Sequence, residues 1–117
     1  DFEPLLDWLD ARATRRDVAI HVIVETALLL SLGEGRSEES IAVACRAIRE
    51  SGCDGVVTAS GCHRAGGASA AGIEALRRHG EGLAVIAMGG IPNLAAAEPY
   101  LTDGADRAIV EVTSDER

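Results

Sequence analysis

Hydrophobic and polar positions along this chain fall into a repeating order of strand, glycine-rich loop and helix. Residues 2–13 place Phe2, Leu5, Leu6, Leu9 and Ala13 on one face, the spacing of an amphipathic helix. Asp17 then leads into Val18-Ala19-Ile20-His21-Val22-Ile23-Val24-Glu25, β-branched and apolar on both faces, as a strand buried inside a parallel sheet reads. A Gly- and Glu-rich loop runs from Ser31 to Arg36. Ser37 is expected to cap a helix through Glu50 that turns Ile41, Ala44, Cys45 and Ile48 inward and stops at Gly52. The order repeats with a strand at 54–58, a loop at 60–68 and a helix at 69–79 ended by Gly80, with Glu74 and Arg78 an i,i+4 pair on its outer face. It repeats again with a strand at 83–88, a turn at Gly89-Gly90 and a helix capped by Asn93 that reaches about Thr102. Pro99 should kink or shorten that helix, and a last strand is expected at 106–112. Strands alternating with helices predict an α/β fold with a parallel sheet whose neighbours follow chain order.

Composition narrows this picture. The 117 residues suit one small domain or part of a larger one. Aromatics are only 3% (Phe2, Trp8 and Tyr100), so the core must be built from Ala, Val, Ile and Leu. There is no lysine: all 11 basic side chains are arginine, which with 13 glycines also fits a GC-rich coding bias. A net charge of −8 provides no basic stripe for nucleic acid or an anionic membrane. No signal peptide is expected from these residues, and the longest apolar stretch, Val22 to Leu30, is interrupted by Glu25 and Thr26. Cys45, Cys53 and Cys62 are odd in number and lack metal-ligand spacing, so free thiols in a reducing cytoplasm are expected, with no metal and no cofactor. The chain begins at Asp1 and its only methionine is Met88, the look of a piece of a longer reading frame.

Five segments carry a family resemblance. "VIVET" at Val22–Thr26, "GCDGVVTASG" at Gly52–Gly61, "AGGAS" at Ala65–Ser69, "LAVIAMGGI" at Leu83–Ile91 and "DGADRA" at Asp103–Ala108 occur in order. Together, over about residues 17–114, they resemble the C-terminal half of deoxyribose-phosphate aldolase, a TIM (β/α)8 barrel, and would supply its strands five to eight. Residues 1–117 are then a partial barrel domain of a longer chain. The resemblance implies reversible cleavage of deoxyribose 5-phosphate to acetaldehyde and glyceraldehyde 3-phosphate through a Schiff-base lysine. That lysine belongs to a segment Val-Lys-Thr-Ser-Thr-Gly on strand six. Here the segment reads Val56-Val57-Thr58-Ala59-Ser60-Gly61, so Val57 stands at the lysine position. A second family lysine, on strand seven, lowers the pKa of the first by like-charge proximity. Ile86 takes its place. Arginine cannot substitute, because its guanidinium stays protonated and is a poor nucleophile. Gly61, Gly89 and Gly90 match the family's backbone cradle for phosphate. Where the family has small serines after strand eight, this chain has Ile109-Val110-Glu111-Val112, and Glu111 would repel a phosphate. The acid that assists proton transfer in the family lies on an earlier strand, upstream of this chain.

The remaining candidates each carry a plain reading and a functional one. Glu25 matches a family glutamate and alternates with Ala19, His21 and Ile23 toward the barrel interior, where an unpaired carboxylate is costly; a structural role is preferred to a catalytic one. His21 reads as a hydrogen-bonded strand histidine. Cys62-His63 lies in the loop after strand six, where a nucleophile could act, but adjacent residues rarely pair as thiolate and base and no third group is evident. Gly66-Gly67 and Gly89-Gly90 suit tight turns with or without a ligand, and Arg64 is a loop cation near them. Three functional readings follow: an aldolase-like barrel with a degenerate site, a lysine-independent enzyme on a small carbonyl compound using Glu25 with Cys62 or His63, and a non-catalytic binding or assembly domain. The expected partners are a small phosphorylated or carbonyl ligand and either the missing barrel half or a second copy.

Overall fold

β-branched residues at the centre of each apolar run set four short strands into one sheet. In the computed structural model, which describes residues 18–33, 36–62 and 65–112 together with Pro4, these are β1 (His21–Ile23), β2 (Gly55–Val57), β3 (Ala84–Ala87) and β4 (Arg107–Ala108). The helix expected at residues 2–13 lies outside the described residues. All three pairings are parallel and the strand order is β1-β2-β3-β4, as the alternating pattern predicted. The strands are shorter than expected, yet the ladder bonds run past their ends. Asp54 N–H donates to Ile20 C=O at 2.8 Å, Val24 N–H to Val57 C=O at 2.8 Å, and Ile109 N–H to Ala87 C=O at 2.8 Å. Asp54 also uses its carboxylate to accept the Ile20 N–H at 2.8 Å, tying the start of β1 to the start of β2.

Among the described residues four helices accompany the sheet: α1 (Thr26–Leu30), α2 (Arg36–Glu50), α3 (Ala70–His79) and α4 (Leu94–Thr102). Helix α1 was not expected. Once β1 has ended, Thr26-Ala27-Leu28-Leu29-Leu30 has good helix formers and no breaker before Gly33, so a short turn of helix forms. Ser37 is not the cap of α2 but lies inside it, its N–H bonded to Gly33 C=O at 3.1 Å. The cap expected at Asn93 is present, its Oδ1 accepting the Ala96 N–H at 2.9 Å, while Ser69, expected as the first residue of its helix, is instead the cap of α3, its Oγ accepting the Gly72 N–H at 3.0 Å. Pro99 is accommodated in α4, a helix of nine residues that ends three residues later. The Glu74–Arg78 pair is replaced by one between helices: Arg78 Nη1 meets Glu38 Oε2 on α2 at 2.8 Å. Competition from α2 could not be read from spacing within one helix.

The core lies between the sheet and its helices. Val56 and Val85, register partners on β2 and β3, are fully buried against Ile41, Cys45 and Ile48 of α2 and Ile73 and Leu76 of α3. Because successive side chains of a strand alternate faces, Val57 and Ile86 project from the opposite face, away from the helices. The C-terminal ends of the strands all open to one rim, where the βα loops gather.

Candidate functional site

The two positions at which the family resemblance places lysines are neighbours in space. Val57 pairs with Ile86 in the β2–β3 register, and the row continues to Ile23 on β1 and Arg107 on β4. Val57 is 5% exposed and Ile86 3% exposed. This face therefore presents two branched aliphatics side by side, with an exposed guanidinium at the end of the row. Neither residue can form an imine or exchange a proton. Arg107 was missed by sequence reasoning, because only the register reveals that it stands beside Ile86.

Just above this row, Thr58 fastens β2 to β3. Its side chain is fully buried, and its hydroxyl donates to Met88 C=O at 2.7 Å while accepting the Met88 N–H at 2.9 Å. Its own carbonyl receives the Thr26 N–H at 2.9 Å and the Thr26 hydroxyl at 3.2 Å. The ends of three strands are thus joined through two threonines. Sequence reasoning passed over both, since a buried threonine in a strand leaves no spacing signal.

Glu25 sits at the same level and is half-buried. Its carboxylate oxygens accept the Ser60 N–H at 3.3 and 3.4 Å, so it steadies the loop after β2. The Ser60 hydroxyl accepts the Cys62 N–H at 3.1 Å, and the Cys62 side chain is exposed. His63 and Arg64 lie outside the described residues. His21 is on the same sheet face; a Cβ on Gly55 would stand 2.8 Å from the Ala84 carbonyl oxygen and 2.9 Å from the His21 ring, and the backbone contact is what keeps that strand position glycine. Cys45 and Cys53 are buried, and burial pushes both thiols up from their ordinary pKa. Among the described residues no group of three His, Cys, Asp or Glu side chains is placed to hold a metal ion.

The glycines expected to form a phosphate cradle divide into two kinds. Gly61 and Gly89 face each other: a Cβ on Gly61 would be 3.6 Å from the Gly89 Cα, and one on Gly89 would be 2.8 Å from the Ala59 Cβ. Gly67 completes the junction, since any side chain there would run into the Gly89 carbonyl, and Ala68 N–H donates to that carbonyl at 3.0 Å. The Tyr100 hydroxyl closes the back by donating to Ala68 C=O at 3.2 Å. Gly90 differs, with open space around its Cβ position and a positive φ of 74° as its only demand for glycine. Glu111 leans into the junction, with Oε2 only 2.5 Å from the Cβ position of Gly61. A carboxylate in that place opposes an anionic ligand by like-charge repulsion.

Parallel βα units with their polar loops collected at the strands' carboxyl ends define a segment of an aldolase-type (β/α) barrel. Among solved structures, an aldolase described as QR15 superposes with a TM-score of 0.73 at 28% identity, covering 92% of this chain and 46% of that one. The deoxyribose-phosphate aldolase of Mycobacterium tuberculosis (strain ATCC 25618 / H37Rv) is 42% identical over 98 residues, which are 82% of this chain and 42% of the relative. The protein of the same name from Mycobacterium marinum is 37% identical over 97 residues. No family model matches the chain. By these relatives the chain belongs to the deoxyribose-phosphate aldolase family, and it spans less than half of their length. Among the described residues no helix is long and apolar enough to cross a membrane.

Proposed function

We propose that this chain keeps the aldolase scaffold without Schiff-base chemistry, a degenerate aldolase-like half barrel rather than a working deoxyribose-phosphate aldolase site. One observation carries the reading: Val57 and Ile86, the resemblance's two lysine positions, lie in register on neighbouring strands as buried aliphatics, in a chain that contains no lysine. No side-chain primary amine is available to attack a carbonyl. The carboxylate of Glu111 beside Gly61 supports the same reading for the phosphate end of the original substrate. Incubation with deoxyribose 5-phosphate or acetaldehyde followed by borohydride should leave the chain's mass unchanged, apart from reaction at the N-terminal amine. A reduced adduct mapped to an internal residue would overturn the proposal.

Lysine-independent carbonyl chemistry through Glu25 with Cys62 or His63 is the weaker reading, because Glu25 already serves the Ser60 N–H. A binding or assembly role fits the open sheet better. β1 and β4 each have a pairing partner on one side only among the described strands, and Ile23 and Ile109 beside them are 45% and 42% exposed. Exposed strand edges recruit other chains. The partner proposed for these edges is the remaining half of the barrel, with closure by a second copy as the alternative. Sedimentation at several concentrations separates a self-associating chain from a monomer.

A further inference from the structure

On the outer side of the helical layer, far in sequence from the rim residues, the C-terminal halves of α2 and α3 enclose a concavity of about 510 Å3. Its lining is Ala42, Arg46, Arg49, Arg78, His79 and Glu81. Three guanidiniums stand against two carboxylates, Glu81 in the lining and Glu38 paired with Arg78 beside it, in a chain whose net charge is −8. Most of these cations are held in place. Arg49 Nη1 donates to His79 C=O at 3.2 Å and to Glu81 C=O at 3.3 Å. Arg78 and His79 are both drawn to Glu38, at 2.8 and 2.6 Å.

Part of this arrangement follows from helix physics. Arg49 lies in the last turn of α2, and Arg78 and His79 in the last turn of α3, where cations offset the negative end of the helix dipole. Arg46 is not accounted for in that way. It lies a turn earlier and is exposed, and its guanidinium has no hydrogen bond or ion pair among the described residues. An uncommitted guanidinium beside two fixed ones, over a concavity of ligand size, is an arrangement suited to a planar or tetrahedral oxyanion.

We propose that this groove between α2 and α3 binds a small polyanion, its phosphate or carboxylate oxygens bridging Arg46 to Arg49 and Arg78. The site is independent of the rim and of whether any aldolase chemistry survives. Titration calorimetry of the 117-residue chain at constant ionic strength, with inorganic pyrophosphate in one arm and citrate in the other, tests it. Saturable binding in either arm is expected, and the stronger arm identifies the oxyanion class. Arg46→Gln should weaken that binding at least tenfold with no change in Tm. Arg36→Gln, which removes the same charge from the opposite end of α2, should leave it within twofold. Absence of saturable binding in both arms would overturn the proposal. So would an equal loss in the two variants, which would mean that the chain's total charge, and not this groove, governs the anion's binding.

Discussion

Replacing Thr58 by valine tests whether the rim is held by the hydroxyl rather than by the shape of the side chain. The two residues are nearly isosteric, so the change removes two hydrogen bonds while keeping volume. Met88 then loses the partner of its N–H (2.9 Å) and of its C=O (2.7 Å) together. Each buried polar group left unpaired costs about 1–3 kcal/mol. Met88 is half-buried, so the lower half of that range applies to each. The incoming methyl must also sit where the hydroxyl was, nearer to the Met88 oxygen than the roughly 3.3–3.6 Å at which carbon meets a carbonyl. A total of about 2–4 kcal/mol is expected, a large share of the 5–15 kcal/mol typical of a domain. Thr58→Ser keeps both bonds and loses one buried methyl, for about 1 kcal/mol. Urea unfolding followed by far-ultraviolet circular dichroism gives both values from the shift in midpoint at constant slope. If valine proves as well tolerated as serine, or better, the hydroxyl is not what joins β2 to β3 and the account of the rim fails.

Three further outcomes follow from the same geometry. Iodoacetamide should modify the native chain once, at exposed Cys62, while Cys45 and Cys53 react only on unfolding, as mass spectrometry of native and denatured samples would reveal. Gly67→Ala should cost more than Gly90→Ala, because the first meets the Gly89 carbonyl and the second only the penalty of a positive φ, about 1–2 kcal/mol; equal midpoints in denaturant would contradict this. Glu38 has its pKa lowered, first by the hydrogen bond from His79 and then by that from Arg78. A lowered folded-state pKa means that its stabilisation is present above the ordinary value of 4.5 and disappears as pH falls through the folded value. Tm measured from pH 7 downward should therefore fall less steeply for Glu38→Gln than for the parent once the pH drops below 4.5 toward the lowered folded value.

The parallel order of strands was legible because apolar runs such as Val22-Ile23-Val24 and Val85-Ile86-Ala87 have no polar face, and a strand without a polar face must be covered on both sides. The cap at Asn93 was legible because it depends on one side chain reaching a backbone N–H three residues on. The start of α2 was not, since Ser37 looks like a cap while Gly33 supplies the carbonyl that draws it into the helix. In the candidate site, Val57 and Ile86 could be marked only through the family resemblance; nothing in their own neighbourhoods distinguishes them from ordinary core residues. The inclination of Glu111 toward Gly61, the bond of Glu25 to Ser60 and the place of Arg107 beside Ile86 all depend on contacts between segments 20 to 50 residues apart. Periodicity carries no information about such contacts.

The aliphatic pair at 57 and 86 has a consequence for the scaffold itself. Two ammonium groups on adjacent strands, about 5 Å apart, would repel by roughly 3 kcal/mol at an effective dielectric of 20. Burial would add a shift of up to about 3–5 pKa units for each, at about 1.4 kcal/mol per unit. Valine and isoleucine carry neither penalty, and each contributes about 1.5–3 kcal/mol by leaving water. The glycines behave in the opposite way. Gly67 and Gly89 are required by the approach of their two backbones, so they must stand where they do whether or not a ligand is bound between them. Family glycines at this rim are therefore weak evidence of a working site, because the fold alone demands them. The positions that the resemblance gives to lysines are informative in another way, because only chemistry rewards a buried amine there, whereas Val57 and Ile86 carry none of that cost.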